Sequence, residues 1–216
     1  MSALVVQNRP QVGMAKPVVR GVVARRYETG CSYELRVPRR QDFGTWRAVR
    51  LARSRLLEPT FGEVGRSWGD MNTRAVWAER VLIGAVRRSP MYVITEDSGA
   101  GSAVIGEMGV AGVDRLSNAG ELSGWAFPSR RGVDIAAWAT RALILRSFTG
   151  PNPLSWMVAP VSANNPGPVR QLAAIGFEKE ATMRSQRRYA GVPADHDLWV
   201  LLNSPAAVSR IREELA

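Results

Sequence analysis

The feature that most constrains this chain is a helix framed by two strands near its middle. Ile135, Trp138, Ala139, Ala142, Leu145 and Phe148 recur at spacings of three and four, the apolar stripe of a helix. Gly150-Pro151-Asn152-Pro153 stops that helix, because neither Gly nor Pro continues it. Glu121 to Phe127 before it and Leu154 to Ala159 after it read as strands. In open α/β sheets a ligand binds at such a strand-loop-helix junction, where the helix N-terminus points at it.

The rest of the chain alternates in the same way. Val18 to Arg26 and Ser32 to Val37 read as strands around a Glu28-Thr29-Gly30 turn. Asp42 reads as the N-cap of a helix to Arg53, with Trp46 and Val49 inward. Leu57 to Asp70 has no clear period and is expected to be a loop, and a second helix runs from Thr73 to Arg88 through Val76, Trp77, Val81 and Ala85. Met91 to Thr95 and Ala103 to Val110 form a hairpin around Asp97 to Gly101. Asn165-Pro166 supplies an N-cap and a first-turn proline for a short helix closed by Gly176. Phe177 to Tyr189 and Leu198 to Leu202 are strands, and Ser204-Pro205 opens a last helix to Leu215. These elements make one α/β domain over residues 17–216 around a sheet of mixed direction, behind a flexible arm, residues 1–16.

Composition removes whole chemistries. One His and one Cys in 216 residues exclude an intrachain disulfide, a dithiol redox pair and a His/Cys zinc site, so no metal is expected. The longest uncharged run, Ser147 to Val169, holds five Pro and cannot span a bilayer. Arg9, Pro10 and Lys16 interrupt any signal-peptide core, so a cytoplasmic protein without membrane contact is expected. The formal charge of +10 is uneven: residues 1–56 carry twelve Arg and Lys against Glu28, Glu34 and Asp42. That front end either meets a polyanion such as ribosomal RNA or forms a solvated basic face.

The junction ahead of the central helix reads Phe127-Pro128-Ser129-Arg130-Arg131-Gly132-Val133-Asp134-Ile135. Arg130 and Arg131 oppose the helix dipole unless an anion such as a pyrophosphate sits between them and the helix. Gly132 lets backbone N–H groups approach that anion, and Asp134 repels it. The alternative is a surface turn with solvated arginines.

Taken in order, Leu35 to Asp42, Leu57-Glu58-Pro59, Met91 to Ile94, Ile105-Gly106-Glu107, Gly124-Trp125 before Pro128, and Asn165 eleven residues before Gly176-Phe177 resemble the GNAT superfamily. Within it the pattern is similar to the RimJ/RimL branch of ribosomal-protein-alanine N-acetyltransferases, over about residues 33–203. The resemblance implies a single-domain fold with a mostly antiparallel sheet, splayed at a V-shaped cleft and flanked by helices. It also implies acetyl-CoA as co-substrate and a protein N-terminal α-amino group as acceptor, in a protein that works beside the ribosome. A homodimer stays open.

By the same resemblance, Trp125, Ala126 and Phe127 lie along the pantetheine arm, and the loop Arg130, Arg131, Gly132, Val133, Asp134, Ile135 holds the pyrophosphate, with Asn165 opposite. Only Gly132 keeps the family's loop residues, Ser129 and Asp134 departing from them, and Pro168 stands where the family has Ser. Direct transfer needs only a weak base, because an α-amine with pKa of about 7.7–8.0 is partly neutral already. Glu121 and Glu107 are the strand carboxylates available for it, and Tyr189 could protonate the leaving thiolate; each could equally be an ordinary strand residue. Backbone N–H groups near Ala126 could hold the oxyanion. His196, between Asp195 and Asp197, reads as part of a turn. Trp46, Trp77 and Trp138 fit the core, and Trp125 the cleft. The competing functions are a CoA- or RNA-binding module without turnover and acetylation of a small amine, the latter disfavoured by the basic front end.

Overall fold

The computed structural model describes residues 21–28, 30–86, 91–127 and 134–216, with 83–86 as backbone. Among the described residues eight strands form one sheet: β1 (Val22–Glu28), β2 (Cys31–Arg36), β3 (Met91–Asp97), β4 (Ser102–Asp114), β5 (Ala119–Ala126), β6 (Trp156–Ser162), β7 (Glu178–Tyr189) and β8 (Val192–Leu202). Their order is β1-β2-β3-β4-β5-β6-β8-β7. Every neighbouring pair is antiparallel except β5 and β6. That parallel pair is the framed helix of the sequence, because returning to a parallel strand requires a crossover. The crossover is α4 (Ile135–Thr149).

Two apolar cores cover the two faces of the sheet. On one face α4, α5 (Gly167–Ile175) and α6 (Pro205–Leu215) pack on Tyr33, Leu35, Ile94 and Met157. α4 buries Ala137, Thr140, Leu143 and Ile144 besides most of its expected stripe, so it is enclosed on several sides rather than amphipathic. On the other face α1 (Phe43–Ala52), α2 (Ser54–Phe61) and α3 (Arg74–Val86) build a smaller core from Trp46, Trp68, Trp77, Val93, Val104 and Trp125. Trp46 and Trp77 rings meet at 4.7 Å. Gly176 takes the left-handed conformation (φ 103°) that ends α5, and the Ser204 hydroxyl accepts from Ala207 N at 3.1 Å to cap α6.

Several expectations are corrected. Residues 54–61 are helical although Pro59 lies among them: Leu57 N donates to Arg53 O and Gly62 N to Glu58 O around the missing donor, and Leu57 is buried. The Asp42 carboxylate does not cap α1; it accepts instead from Arg39 N at 2.5 Å, at the start of the 3₁₀ turn Arg40–Asp42. It also accepts two hydrogen bonds from Arg36, at 2.7 and 2.8 Å, in a buried pair. Pro166, not Asn165, is the capping residue of α5, and it offers no side-chain cap. β6 starts at Trp156 and continues through Pro160 to Ser162. β8 starts at Val192 rather than Leu198, because Ala190-Gly191, both at positive φ, turn β7 straight back. His196 therefore sits inside a strand, paired with Ser162 and Met183, and is buried. Residues 1–20 and 87–90 lie outside the described residues.

Candidate active site

β5 and β6 pair only from Ala119↔Trp156 to Glu121↔Val158. Beyond that point they diverge, since β5 continues its ladder with β4 to Ala126↔Gly106 while β6 keeps its ladder with β8 to Ser162↔His196. From Leu122 to Ala126 one edge of β5 has no strand partner, and its backbone groups face a cleft of about 420 Å³. Unpaired backbone donors and acceptors of this kind form a template for an extended ligand. The opposite walls are Ala159 to Ser162 of β6, Asn165, and the first turns of α5, and the floor includes Ala136 and Thr140 of α4.

β4 packs closely on β5 along this edge. A Cβ at Gly124 would lie 2.6 Å from Glu107 O and 2.8 Å from Met108 Cγ, so only glycine fits there. The rings of Trp125 and Phe127 are 5.6 Å apart, and Phe127 N donates to Ile105 O at 3.0 Å.

Of the residues expected to hold the donor, Trp125, Ala126, Phe127 and Asn165 line this cleft. Arg130, Arg131, Gly132 and Val133 lie outside the described residues. Asp134 is the N-cap of α4: its Oδ1 accepts from Ala137 N at 2.9 Å, so the carboxylate serves the helix end directly. Ile135 is buried in the core beside it.

The carboxylates separate. Glu121 stands where the two strands part, on the cleft wall, and Arg187 of β7 grips both of its oxygens, Nη1 to Oε1 at 2.7 Å and Nη2 to Oε2. These hydrogen bonds hold the Arg187 guanidinium above its ordinary pKa. Tyr189, two residues along β7, lines the same cleft. Glu107 points to the opposite side of β4, into a second cleft of about 480 Å³ bounded by α3 and the segment after α2. There Oε2 accepts from Trp46 Nε1 at 2.7 Å, Oε1 accepts from Arg80, and Arg50 Nη1 lies 3.9 Å from Oε2. Burial drives the Arg50 guanidinium down to about 10, partly offset by Glu107, and it stays cationic at neutral pH.

Sequence reasoning underrated two residues. His196 lines the first cleft, and its Nδ1 is 2.9 Å from Ala194 O; since a carbonyl only accepts, Nδ1 carries the hydrogen there. The alternation of Ala194 and His196 inward on a strand is the signal that locates it. Arg187 was visible only as a basic residue beside Tyr189. The basic front end is also less exposed than its charge suggests: Arg36 and Arg50 are both buried in ion pairs, leaving Arg25, Arg39, Arg40, Arg47, Arg53 and Arg55 exposed among the described residues.

A sheet that divides between two parallel strands, with helices on both faces, matches solved acetyltransferases. RimJ of Mycobacterium smegmatis, solved with CoA-disulfide, superposes with a TM-score of 0.74 at 23% identity, over 92% of this chain and 95% of that one. The chain has the GNAT fold. A ribosomal-protein-S5-alanine acetyltransferase from Vibrio fischeri matches at 0.68 and 21% identity, over 84% of this chain and 98% of that one. Spermidine N-acetyltransferase from Vibrio cholerae, solved with CoA and spermine, matches at 0.63 and 16%, over 82% and 97%. No family model matches the sequence, and no curated protein matches it. The V-shaped opening of this GNAT sheet is the β5/β6 divergence.

Proposed function

We propose that this protein transfers an acetyl group from acetyl-CoA to a protein N-terminal α-amino group. The observation that carries the reading is the unpaired edge of β5, Leu122 to Ala126, exposed along one wall of a cleft. The solved proteins it resembles include RimJ with CoA-disulfide and an S5-alanine acetyltransferase, which supports both the donor and the class of acceptor.

The donor fits what the cleft presents. A pantetheine arm carries amide groups, which the free backbone edge at Trp125 and Ala126 can pair as a neighbouring strand would, with Phe127, Asp134, Ile135 and Asn165 nearer the loop. Residues Arg130, Arg131, Gly132 and Val133 would receive the phosphates. Acetyl-CoA supplies the acetyl group as a thioester. Glu121 Oε1 takes the proton of the attacking amine once it leaves Arg187, whose other contact keeps the carboxylate aimed into the cleft. The Tyr189 hydroxyl, on the same wall, gives up a proton to the departing sulfur. Glu107, held by hydrogen bonds from Trp46 and Arg80 with the Arg50 guanidinium beside it, orients the neighbouring side chains instead of moving protons.

One observation favours a second reading, a donor-binding module without turnover: Asp134 already caps the helix end at which a phosphate would bind. A mass-shift assay with labelled acetyl-CoA and peptides varied at their first residue separates the two. Acetylated peptide N-termini are expected. Binding of acetyl-CoA without any labelled peptide would favour the module.

A further inference from the structure

Two buried donors beside the clefts have no hydrogen-bond acceptor: Arg50 Nη1 and Trp125 Nε1. Arg50 is 1% exposed and Trp125 7%, so bulk water does not serve them. The rest of the Arg50 guanidinium is fixed. Its Nε donates to Asn72 Oδ1, and its Cζ lies 4.5 Å from the Trp68 ring centroid and 5.0 Å from that of Trp46. The Nη1 to Glu107 Oε2 separation of 3.9 Å is an ion-pair distance and too long for a hydrogen bond. Trp46 and Arg80 anchor Glu107 where it stands, with that gap to Arg50 open. Buried donors are almost always paired, so donors left open beside a cleft are candidates to meet an acceptor that a ligand brings.

Their location says which molecule brings that acceptor. Arg50 lines the second cleft and Trp125 the first; Phe61 and Ser123 line both, so the two clefts share a wall where β5 leaves β6. The Arg50 Cζ is 5.9 Å from the Trp125 ring centroid. Charge around the second cleft is balanced, Arg50, Arg66 and Arg80 against Glu63, Glu79 and Glu107, which suits a neutral oxygen with two lone pairs better than a second carboxylate. In a polypeptide acceptor the first carbonyl oxygen has that chemistry and lies next to the α-carbon bearing the amine. A polyamine has no such atom.

We propose that Arg50 Nη1 and Trp125 Nε1 receive the first carbonyl oxygen of the acceptor, so that the site selects amines with an adjacent carbonyl. This rests on the acetyltransferase reading above and adds the basis of acceptor choice. A site whose donors would be left open by the wrong substrate rejects it strongly.

The test compares alanine amide with 2,2-difluoroethylamine, an oxygen-free amine of lowered basicity, in the wild type, Arg50→Met and Trp125→Phe. Because intrinsic amine reactivity cancels between proteins, the readout is the change in the ratio of the two kcat/KM values. A fall in that ratio of about 10-fold or more in either variant is expected for loss of a hydrogen bond to a buried donor. An unchanged ratio in folded variants overturns the proposal, as does a wild type that prefers free alanine to alanine amide by 10-fold. Trp125→Phe keeps the test open should Arg50→Met not fold. Calorimetric titration of an Ala-Gly-Ser peptide amide reads the same donors without turnover: weaker binding in the variants together with no transfer to any amine would remove the acetyltransferase reading and leave the carbonyl site standing. Equal peptide binding by all three proteins would overturn the site.

Discussion

Individual side chains in this protein are decided by partners far away in sequence. Asp42 is legible as a polar residue ahead of a helix, yet its carboxylate belongs to Arg36, six residues earlier on β2, because the 3₁₀ turn at Arg40–Asp42 folds it back over that strand. Asp42→Ala removes the bidentate partner of a guanidinium that is 2% exposed, leaving it Glu34 at 3.3 Å and Val37 O, and is expected to cost about 3 kcal/mol in denaturant unfolding. Glu121 and Glu107 looked equivalent as strand carboxylates, but they face different clefts, since a period of two only assigns faces once register is known. Glu121→Gln is expected to lower kcat/KM for a peptide acceptor by about 10²–10⁴ with the fold intact, as read by circular dichroism beside the rate. At β8, hydrogen bonds from Lys179 and Thr182 hold the Asp197 carboxyl below its ordinary range. A depressed folded-state pKa stabilises above the unfolded value and is lost on acidification through the folded one. The stability gap between wild type and Asp197→Asn should therefore be present at pH 7, under about 1 kcal/mol for so exposed a pair, and close as the pH falls below about 4.

Elements follow the sequence where periodicity is long and fail to follow it at proline and at hairpins. The α4 stripe and its Gly-Pro stop are explicit in the residues, as are the hairpin of β3 and β4 and the αL stop of α5 at Gly176. α2 escapes such reading because Pro59 looks like a breaker, although burial of Leu57 supports the helix around it. The early start of β8 escapes because Val192 to Asp197 mixes Pro, Ala and acids, and only pairing with β6 and β7 makes it a strand. The divergence of β5 from β6 is the element that matters most for function, and no local signal states it; it follows from β5 keeping β4 while β6 keeps β8. Gly124→Ala places a Cβ within 2.6 Å of Glu107 O and is expected to lower the melting temperature and weaken acetyl-CoA binding together, both measurable by thermal shift with and without donor.

The whole molecule turns much of its charge inward. A +9 front end suggested a polyanion surface, but Arg36 and Arg50 are buried, one tied to Asp42 and the other caged by Trp46, Trp68 and Trp125 beside Glu107. Any ribosome contact thus falls to exposed arginines such as Arg39 and Arg40, and Arg39→Ser/Arg40→Ser should reduce salt-sensitive cosedimentation without unfolding the chain. Two cores cover opposite faces of the sheet while one seam between parallel strands stays open; in the proposed reaction the donor would reach that seam along β5 and the acceptor amine from the face of α1 to α3. Amide hydrogen exchange with and without acetyl-CoA measures this most directly. The account predicts new protection concentrated in Leu122 to Ala126 when acetyl-CoA is added, and unchanged exchange along that segment at saturating acetyl-CoA would contradict it.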